Sequence, residues 1–307
     1  MRTAIIGTGG IGGPLGASLA AAGQDVVFVA RGAHLAAMKG QGLRIEGDRG
    51  LTEINPVQAT DDMASIGTVD LILSCVKLWD LETSAKAMRP LLGADTVIVP
   101  LQNGVDASER LIAVLGAGPV MGGVAMVTGS IVAPGVIRQT GKHHGIIFGE
   151  LDGRMTARAE RIRDVCKGAG IDAVLTDDIQ LARWDKFTGL VAVAGVCAVT
   201  RQPLGVVRDD PDIAPLFWDA MQEVMAVGRA CGVRFGPEVE EKWSAFLKGA
   251  PPHLTPSMAV DLRAGNRLEL KWLTGKAVEL GRAHGVPTPV NAVIYGALKP
   301  YADGTLG

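Results

Sequence analysis

Residues 3–12 read TAIIGTGGIG, so an apolar run leads directly into a cluster of glycines. Gly7, Gly9 and Gly12 fit the spacing G-x-G-x-x-G. In this pattern the first glycine permits a tight turn, the second lets the backbone approach a pyrophosphate, and the third lets a helix pack on a sheet. The apolar run predicts a buried strand, and residues 11–22 predict a helix of small residues. The stretch therefore has the strand, turn and helix that are typical of a dinucleotide-binding sheet.

The residues expected to contact a dinucleotide all lie in this turn. Backbone N–H groups at the start of a helix, and the positive end of its dipole, favour bound phosphates. The pattern alone is a weak signal in a chain with 41 glycines, but its place between a strand and a helix strengthens it. The predicted contacts are Gly7, Thr8, Gly9, Gly10, Ile11 and Gly12.

The composition of the chain indicates a globular protein with a small-molecule partner. It has 307 residues, 48% of them hydrophobic and 20% charged, and a formal net charge of −2. At roughly 150 residues per domain, this length favours two domains. The glycines show no three-residue period, which excludes a collagen-like chain. Because the charges balance, we expect neither nucleic acid nor a membrane as partner.

The order of predicted elements indicates an α/β fold, with an N-terminal Rossmann-type doubly wound sheet domain followed by an all-α C-terminal domain. We place the first domain at residues 1–176 and the second at residues 177–307. The first should contain strands at 3–6, 26–30, 71–76 and 96–101, helices at 11–22, 33–39 and 81–88, a hairpin at 43–46 and 51–55, and antiparallel strands between 120 and 148. The second should contain helices at 179–200, 211–231, 237–248, 257–263, 268–284 and 290–298.

The cysteines and histidines give no sign of a metal centre. The four cysteines are far apart and form no C-x-x-C pair, so we expect reduced thiols, a cytoplasmic location and no metal. His143 and His144 are adjacent and would point to opposite faces of a strand, and their role is unassigned. The longest apolar run, residues 187–198, is about 12 residues, shorter than the ~20 that span a bilayer.

The end of the second predicted strand indicates which dinucleotide binds. NAD-binding sheets usually carry Asp or Glu there for the ribose 2′-OH, whereas this chain reads Phe28-Val29-Ala30-Arg31. An arginine can hold a 2′-phosphate through charge-assisted hydrogen bonds. We therefore expect Arg31 to favour NADPH, the alternative being a solvated surface arginine.

Two further strands end on polar side chains. Lys77 follows one apolar strand and Asn103 follows the next. The carboxyl ends of parallel strands form the ligand crevice of an open sheet, so both residues are predicted near a nicotinamide and its substrate. Singly, each residue is more often a strand-end solvent group or a turn former.

A lysine and a glutamate are the candidate acid–base pair of the helical half. Lys186 begins a long apolar helix, where partial burial would lower its pKa and make it a proton donor to a carbonyl oxygen. Glu269 could orient that ammonium or bind a substrate hydroxyl. The alternatives are a snorkelling lysine and a surface glutamate paired with Lys271 or Arg267.

The chain resembles the ketopantoate reductases (2-dehydropantoate 2-reductases) over essentially its whole length. The matching features are the glycine turn, Arg31, residues 76–79 (VKLW), 102–104 (QNG), 184–187 (WDKF) and 256–258 (PSM), Glu269 with Gly275, and residues 282–289 (RAHGVPTP). The resemblance implies an oxidoreductase of pantothenate biosynthesis that acts on CH–OH groups, reducing a 2-keto acid to its 2-hydroxy acid with NADPH.

The resemblance also assigns roles to single residues. It makes Lys186 the general acid and Glu269 the acid that supports the substrate and the lysine. Lys77 and Asn103 would lie at the nicotinamide and the carbonyl group, and Ser257 would contact the substrate.

The chain departs from the family pattern on the substrate side. The family has asparagines four and eight residues after the lysine, where this chain has Leu190 and Ala194. Near the glutamate, Lys271 and Thr274 replace Asp and Asn. Sites that lose hydrogen-bonding groups lose discrimination for polar substrates, so we expect the reaction type to carry over better than the substrate. A less polar keto acid than 2-dehydropantoate is one alternative.

Two other functions stay open at this point. A related β-hydroxyacid or acyl-CoA dehydrogenase would share the α/β-then-α plan. An NADP-binding sensor would have lost catalysis with the asparagines. The sequence leaves the substrate, the physiological direction and the oligomeric state undecided, with a homodimer as one option.

Overall fold

The computed structural model describes residues 1–304, which form two compact units. The first unit comprises Met1–Gln102 and Asp106–Ile179, and the second comprises Asn103–Val105 and the residues from Gln180 onward. The domain boundary after residue 176 stays a prediction.

The first unit contains ten strands and the helices that connect them. They are β1 (Arg2–Ile6), α1 (Gly12–Ala21), β2 (Asp25–Val29), α2 (Gly32–Gln41), β3 (Leu43–Gly47), β4 (Thr52–Ile54), β5 (Ala59–Thr60), β6 (Val69–Ser74), α3 (Leu81–Met88), β7 (Leu92–Pro100), α4 (Ala107–Leu115), β8 (Gly122–Ala133), β9 (Val136–Gly149), α5 (Ala157–Gly168) and β10 (Asp172–Leu175).

These strands form two sheets. The first is parallel throughout, in the order β5-β2-β1-β6-β7. The second has the order β10-β9-β3-β4, and β8 pairs with β9 in antiparallel fashion. The predicted α/β fold class and the predicted hairpin, β3 with β4, are confirmed. The antiparallel strands β8 and β9 belong to the first unit as predicted, but they lie in the second sheet.

Helix α1 packs against strands of both sheets. A Cβ atom added to Gly16 would lie 2.5 Å from Cε1 of Phe28 on β2, and one added to Gly13 would lie 2.2 Å from Cδ1 of Ile137 on β9. Both distances are far below van der Waals contact. The small residues of α1 therefore let one helix pack closely against both sheets.

Among the described residues of the second unit, all regular elements are helices. After α6 (Ile179–Thr200) come α7 (Leu204–Asp209), α8 (Ala214–Ala230), α9 (Pro237–Gly249), α10 (Ser257–Ala264), α11 (Thr274–His284) and α12 (Pro289–Leu298). No helix within residues 1–304 combines the length and apolar character that a bilayer crossing requires.

Helix α6 runs through the apolar core of this unit. Phe187, Val191 and Ala194 are each at most 1% exposed. Gly189 leaves room for the indole of Trp243, since a Cβ there would lie within 2.1 Å of the ring. The indole N–H donates to a carboxylate oxygen of Asp185 at 3.0 Å. Burial on this scale supplies most of a helix's stability, at about 25 cal/mol per Å² of apolar surface.

The single helix predicted over residues 268–284 is wrong at its start. Residues Glu269–Lys271 form a 3-10 turn, and α11 begins only at Thr274. Leu273 between them has φ −102° and ψ −100°, outside the helical region. The hydrogen-bond ladder is therefore interrupted, and Glu269 lies on a turn rather than on a helix.

The end of α11 generates a stability prediction. Gly285 has φ +68° and ψ +24°, the left-handed conformation that favours glycine, whereas Gly296 lies inside α12. An added Cβ would meet nothing within 4 Å at either site. Gly285→Ala should lower the free energy of unfolding by about 1 kcal/mol or more. Gly296→Ala should raise it by about 0.5–1 kcal/mol. Urea denaturation of both variants measures the difference, and equal effects would contradict the assigned backbone conformations.

Candidate active site

The glycine turn between β1 and α1 has a separate steric requirement at each position. Gly7 has φ +99°, and a Cβ there would lie 2.8 Å from the backbone nitrogen of Val76. A Cβ on Gly10 would lie 1.8 Å from the carbonyl oxygen of Gly129, on β8. In contrast, a Cβ on Gly9 would meet nothing within 4 Å. The structure therefore requires glycine at positions 7 and 10 for packing, while Gly9 leaves open space.

The rest of the turn suits a bound pyrophosphate. Buried Thr8 anchors it, because its hydroxyl donates to the carbonyl oxygen of Val29 at 3.0 Å. Within residues 1–304, the N–H groups of Gly9, Gly10 and Ile11 make no backbone hydrogen bond. Free N–H groups around an open backbone are what a pyrophosphate needs. These residues therefore fit a dinucleotide.

Arg31 lies at the position expected for a ribose-binding residue. It follows β2, occupies the N-cap of α2 and is exposed to solvent. The first turn of α2 holds no acidic residue that would repel a 2′-phosphate. These features fit NADPH.

Lys77 and Gln102 lie at the carboxyl ends of β6 and β7. Lys77 is exposed, and its ammonium lies 5.6 Å from the centroid of the Trp79 ring. Buried Gln102 donates from Nε2 to the carbonyl oxygens of Ser74 at 2.9 Å and Val76 at 3.2 Å. The amide of Gln102 thus holds the segment that leads from β6 to Lys77. The sequence did not assign this role, although Gln102 lies in the motif 102–104 that the resemblance includes.

Within the second unit, three of the predicted site residues come together. The ammonium of Lys186 donates to Oδ1 of Asn103 at 3.0 Å. The amide nitrogen of Asn103 donates in turn to Oε2 of Glu269 at 3.4 Å. Residues far apart in sequence therefore form one hydrogen-bonded chain from α6 to the 3-10 turn.

The surroundings of these three hydrogen-bonded residues make the Lys186 ammonium lose its proton more readily. Burial lowers the pKa of Lys186 to about 8, against the opposing attraction of the Glu269 carboxylate. Glu269 itself is only 6% exposed, so it is not an ordinary surface carboxylate. A lysine with this pKa can give up its proton near neutral pH more readily than an exposed one.

Other predicted residues lie apart from this chain of hydrogen bonds. Ser257 is exposed at the start of α10, and within the described residues no hydrogen bond joins it to Lys186. Leu190 and Ala194 follow Lys186 by one and two helical turns, and they are half-buried and buried. The face of α6 that continues from Lys186 is therefore apolar. No group of three metal-ligating side chains occurs within residues 1–304.

Comparison with known proteins matches both halves of the chain to one family. Residues 3–153 match the model "Ketopantoate reductase PanE/ApbA", and residues 178–302 match the C-terminal model of the same family. The chain belongs to the ketopantoate reductase family.

Individual relatives agree with this assignment. The chain is 33% identical to the 2-dehydropantoate 2-reductase of Mesorhizobium japonicum over 96% of each chain. It is 30% identical to that of Archaeoglobus fulgidus over 99% of this chain and 98% of the relative. The crystal structure of 2-dehydropantoate 2-reductase from Geobacter metallireducens superposes with a TM-score of 0.91 at 29% identity, covering 98% of this chain and 99% of that chain.

Membership of the ketopantoate reductase family identifies the class of reaction. The protein is an oxidoreductase that acts on CH–OH groups, and the family uses a nicotinamide dinucleotide and reduces keto acids.

The hydrogen-bonded chain generates a titration prediction. Glu269→Gln should lower the pKa of Lys186 below about 8, because the lost negative charge no longer favours the protonated lysine. The pH dependence of Lys186 labelling by an amine-reactive reagent, read by mass spectrometry, measures the change. The control is Glu279→Gln, whose carboxylate pairs with Lys276 at 2.7 Å, and it should leave the labelling curve unchanged. A labelling curve for Glu269→Gln that matches the unsubstituted protein would contradict the prediction.

Proposed function

We propose that this enzyme uses NADPH to reduce the carbonyl group of a 2-keto acid to a 2-hydroxy acid, with Lys186 as the general acid. The observation that carries the proposal is the hydrogen bonding of Lys186 to Asn103 and of Asn103 to Glu269, beside the apolar core of the helical unit. A lysine in such surroundings is poised to transfer a proton.

In the proposed reaction, Lys186, Asn103 and Glu269 each have a separate role. NADPH, held by residues 7–12 and Arg31, would supply the hydride for the carbonyl carbon. Lys186 gives a proton from Nζ to the carbonyl oxygen as negative charge develops there, and it regains a proton from solvent. Asn103 orients Nζ by accepting its hydrogen bond at 3.0 Å. The Glu269 carboxylate favours the protonated lysine before the transfer.

Further residues are assigned to binding. Residues 7–12 hold the pyrophosphate, and Arg31 holds the 2′-phosphate. Lys77 contributes at the nicotinamide, because the carboxyl ends of strands carry the ligand in open parallel sheets. Ser257, exposed at the start of α10, contributes to substrate binding.

The substrate is 2-dehydropantoate or a less polar 2-keto acid. The curated relatives described above are named 2-dehydropantoate 2-reductases. Leu190 and Ala194, however, offer the substrate no hydrogen bond from the face of α6 that carries Lys186. A panel of 2-keto and 3-keto acids, with NADPH absorbance as the readout, tests the class. Turnover of 3-keto acids alone would favour a β-hydroxyacid dehydrogenase instead.

A cytoplasmic location is also part of the proposal. All four cysteines are free thiols, which suits a reducing compartment. Subcellular fractionation tests this.

The role of Lys186 is tested by Lys186→Ala. The substitution should lower kcat by about 10²–10⁴-fold, the usual contribution of a general acid, and leave the affinity for NADPH nearly intact. For the unsubstituted enzyme, kcat/KM should fall as pH rises through about 8, because the deprotonated lysine cannot donate. Lys248→Ala, an exposed lysine in the last turn of α9, is the control and should leave kcat unchanged. Near-normal turnover by Lys186→Ala would remove Lys186 from the chemistry.

The choice of cofactor is tested by Arg31→Ala. The variant should raise KM for NADPH far more than KM for NADH, because only NADPH carries the 2′-phosphate. Steady-state kinetics with each cofactor measure the ratio. Equal increases for both cofactors would show that Arg31 does not read the 2′-phosphate. Lys39→Ala, in the last turn of α2, is the control.

A further inference from the structure

Arg183 binds the short segment that carries Asn103. Arg183 lies on α6, three residues before Lys186, and its Nη2 donates a hydrogen bond to the carbonyl oxygen of Val105. Arg183 and Val105 are each 7% exposed. A buried charged donor is costly unless its hydrogen bonds are made. The bond therefore constrains both the arginine and the segment.

The segment 103–105 is attached to the second unit at both of its ends. The Val105 side chain belongs to the apolar core of the helical unit. Gly104 has φ +106°, so the backbone turns sharply between the two side chains. Asn103 then places its amide between Lys186 and Glu269. The position of this amide depends on where the Val105 carbonyl is held.

We propose that Arg183 is a positioning residue for the reaction: by holding the Val105 carbonyl, it keeps the Asn103 amide on the Lys186 ammonium. This inference rests on the proposed function, since it takes Lys186 as the general acid. Sequence reasoning did not single out Arg183. Its only signal is its place one helical turn before the lysine, on a similar face of α6.

A positioning role and a purely structural role predict different outcomes. If Arg183 acts through Asn103, replacing Arg183 should lower kcat only while the Asn103 amide is present. Effects of residues in one network are not additive, whereas effects of independent residues usually are. A displaced amide also withdraws an acceptor from the protonated lysine, which lowers the pKa of Lys186.

The experiment compares Arg183→Met, Arg183→Lys, Asn103→Ala and the double variant Arg183→Met/Asn103→Ala. Turnover of 2-dehydropantoate with NADPH gives kcat, and the labelling of Lys186 as a function of pH gives a readout that needs no substrate. The control is Arg208→Met, because Arg208 Nη1 also donates to a backbone carbonyl, that of Ala250, at 3.0 Å in the same unit.

Arg183→Met should lower kcat by about 10²-fold, the cost of a misplaced catalytic group, with KM for NADPH nearly unchanged. It should shift the Lys186 labelling curve to lower pH, as Asn103→Ala does. Arg183→Lys, which keeps a positive donor, should recover much of the activity. In the double variant, Arg183→Met should add little to the effect of Asn103→Ala.

Three results would overturn the inference. The first is an additive loss of kcat in the double variant. The second is an unshifted Lys186 labelling curve for Arg183→Met, and the third is a loss of kcat in Arg183→Met no greater than that in Arg208→Met. If Arg183→Met does not fold, Arg183→Gln, which also loses the positive charge, gives the same comparison with and without Asn103→Ala. Should Lys186→Ala turn over normally, the proposed acid is wrong, while the labelling curves still decide the link between Arg183 and Asn103.

Discussion

The placement of the Lys186 ammonium beside an apolar core is the constraint on which the candidate site depends. Removing an ammonium from water costs several kcal/mol unless neighbouring groups compensate. Asn103 supplies an acceptor for this ammonium, and Glu269 supplies the opposite charge. Both compensating groups come from irregular backbone, a three-residue segment and a 3-10 turn. The regular helices provide the apolar surroundings that lower the pKa of Lys186.

The cofactor turn depends on a different constraint, the closeness of backbone to backbone. At Gly7 and Gly10 a side chain would collide with the segment after β6 and with β8. Gly9 has no such neighbour, so its small size leaves an open surface on the turn. One glycine pattern therefore allows the close packing of the first unit and leaves a backbone surface that fits a dinucleotide.

The reaction class and the substrate preference rest on different residues. Membership of the ketopantoate reductase family establishes an oxidoreductase acting on CH–OH groups. Under the proposed function, preference among keto acids depends on side chains such as Leu190 and Ala194, which follow Lys186 on α6 by one and two helical turns. Apolar groups there form no hydrogen bond that would favour a polar substrate.

Elements whose signals lie within a short stretch of residues can be predicted from the sequence. Residues 3–30 predict β1, α1 and β2 because apolar runs, glycine spacing and helical periodicity all lie within a short stretch. The hairpin and the long helix α6 follow in the same way. The strands β5 and β10 are short and gain their order from pairing with neighbouring strands, so their own residues give little signal.

The contacts between residues that are distant in sequence depend on the folded path of the chain. The hydrogen bonds among Asn103, Lys186 and Glu269 join residues that are 83 and 166 positions apart. The break at Leu273 separates the turn that carries Glu269 from α11, within the helix predicted over residues 268–284. The sequence marked these three side chains as unusual because a polar group stood at a strand end or in an apolar stretch. It could not specify the role of Arg183 or Gln102, because a hydrogen bond to a backbone carbonyl depends on the path of the chain and not on the type of residue that accepts it.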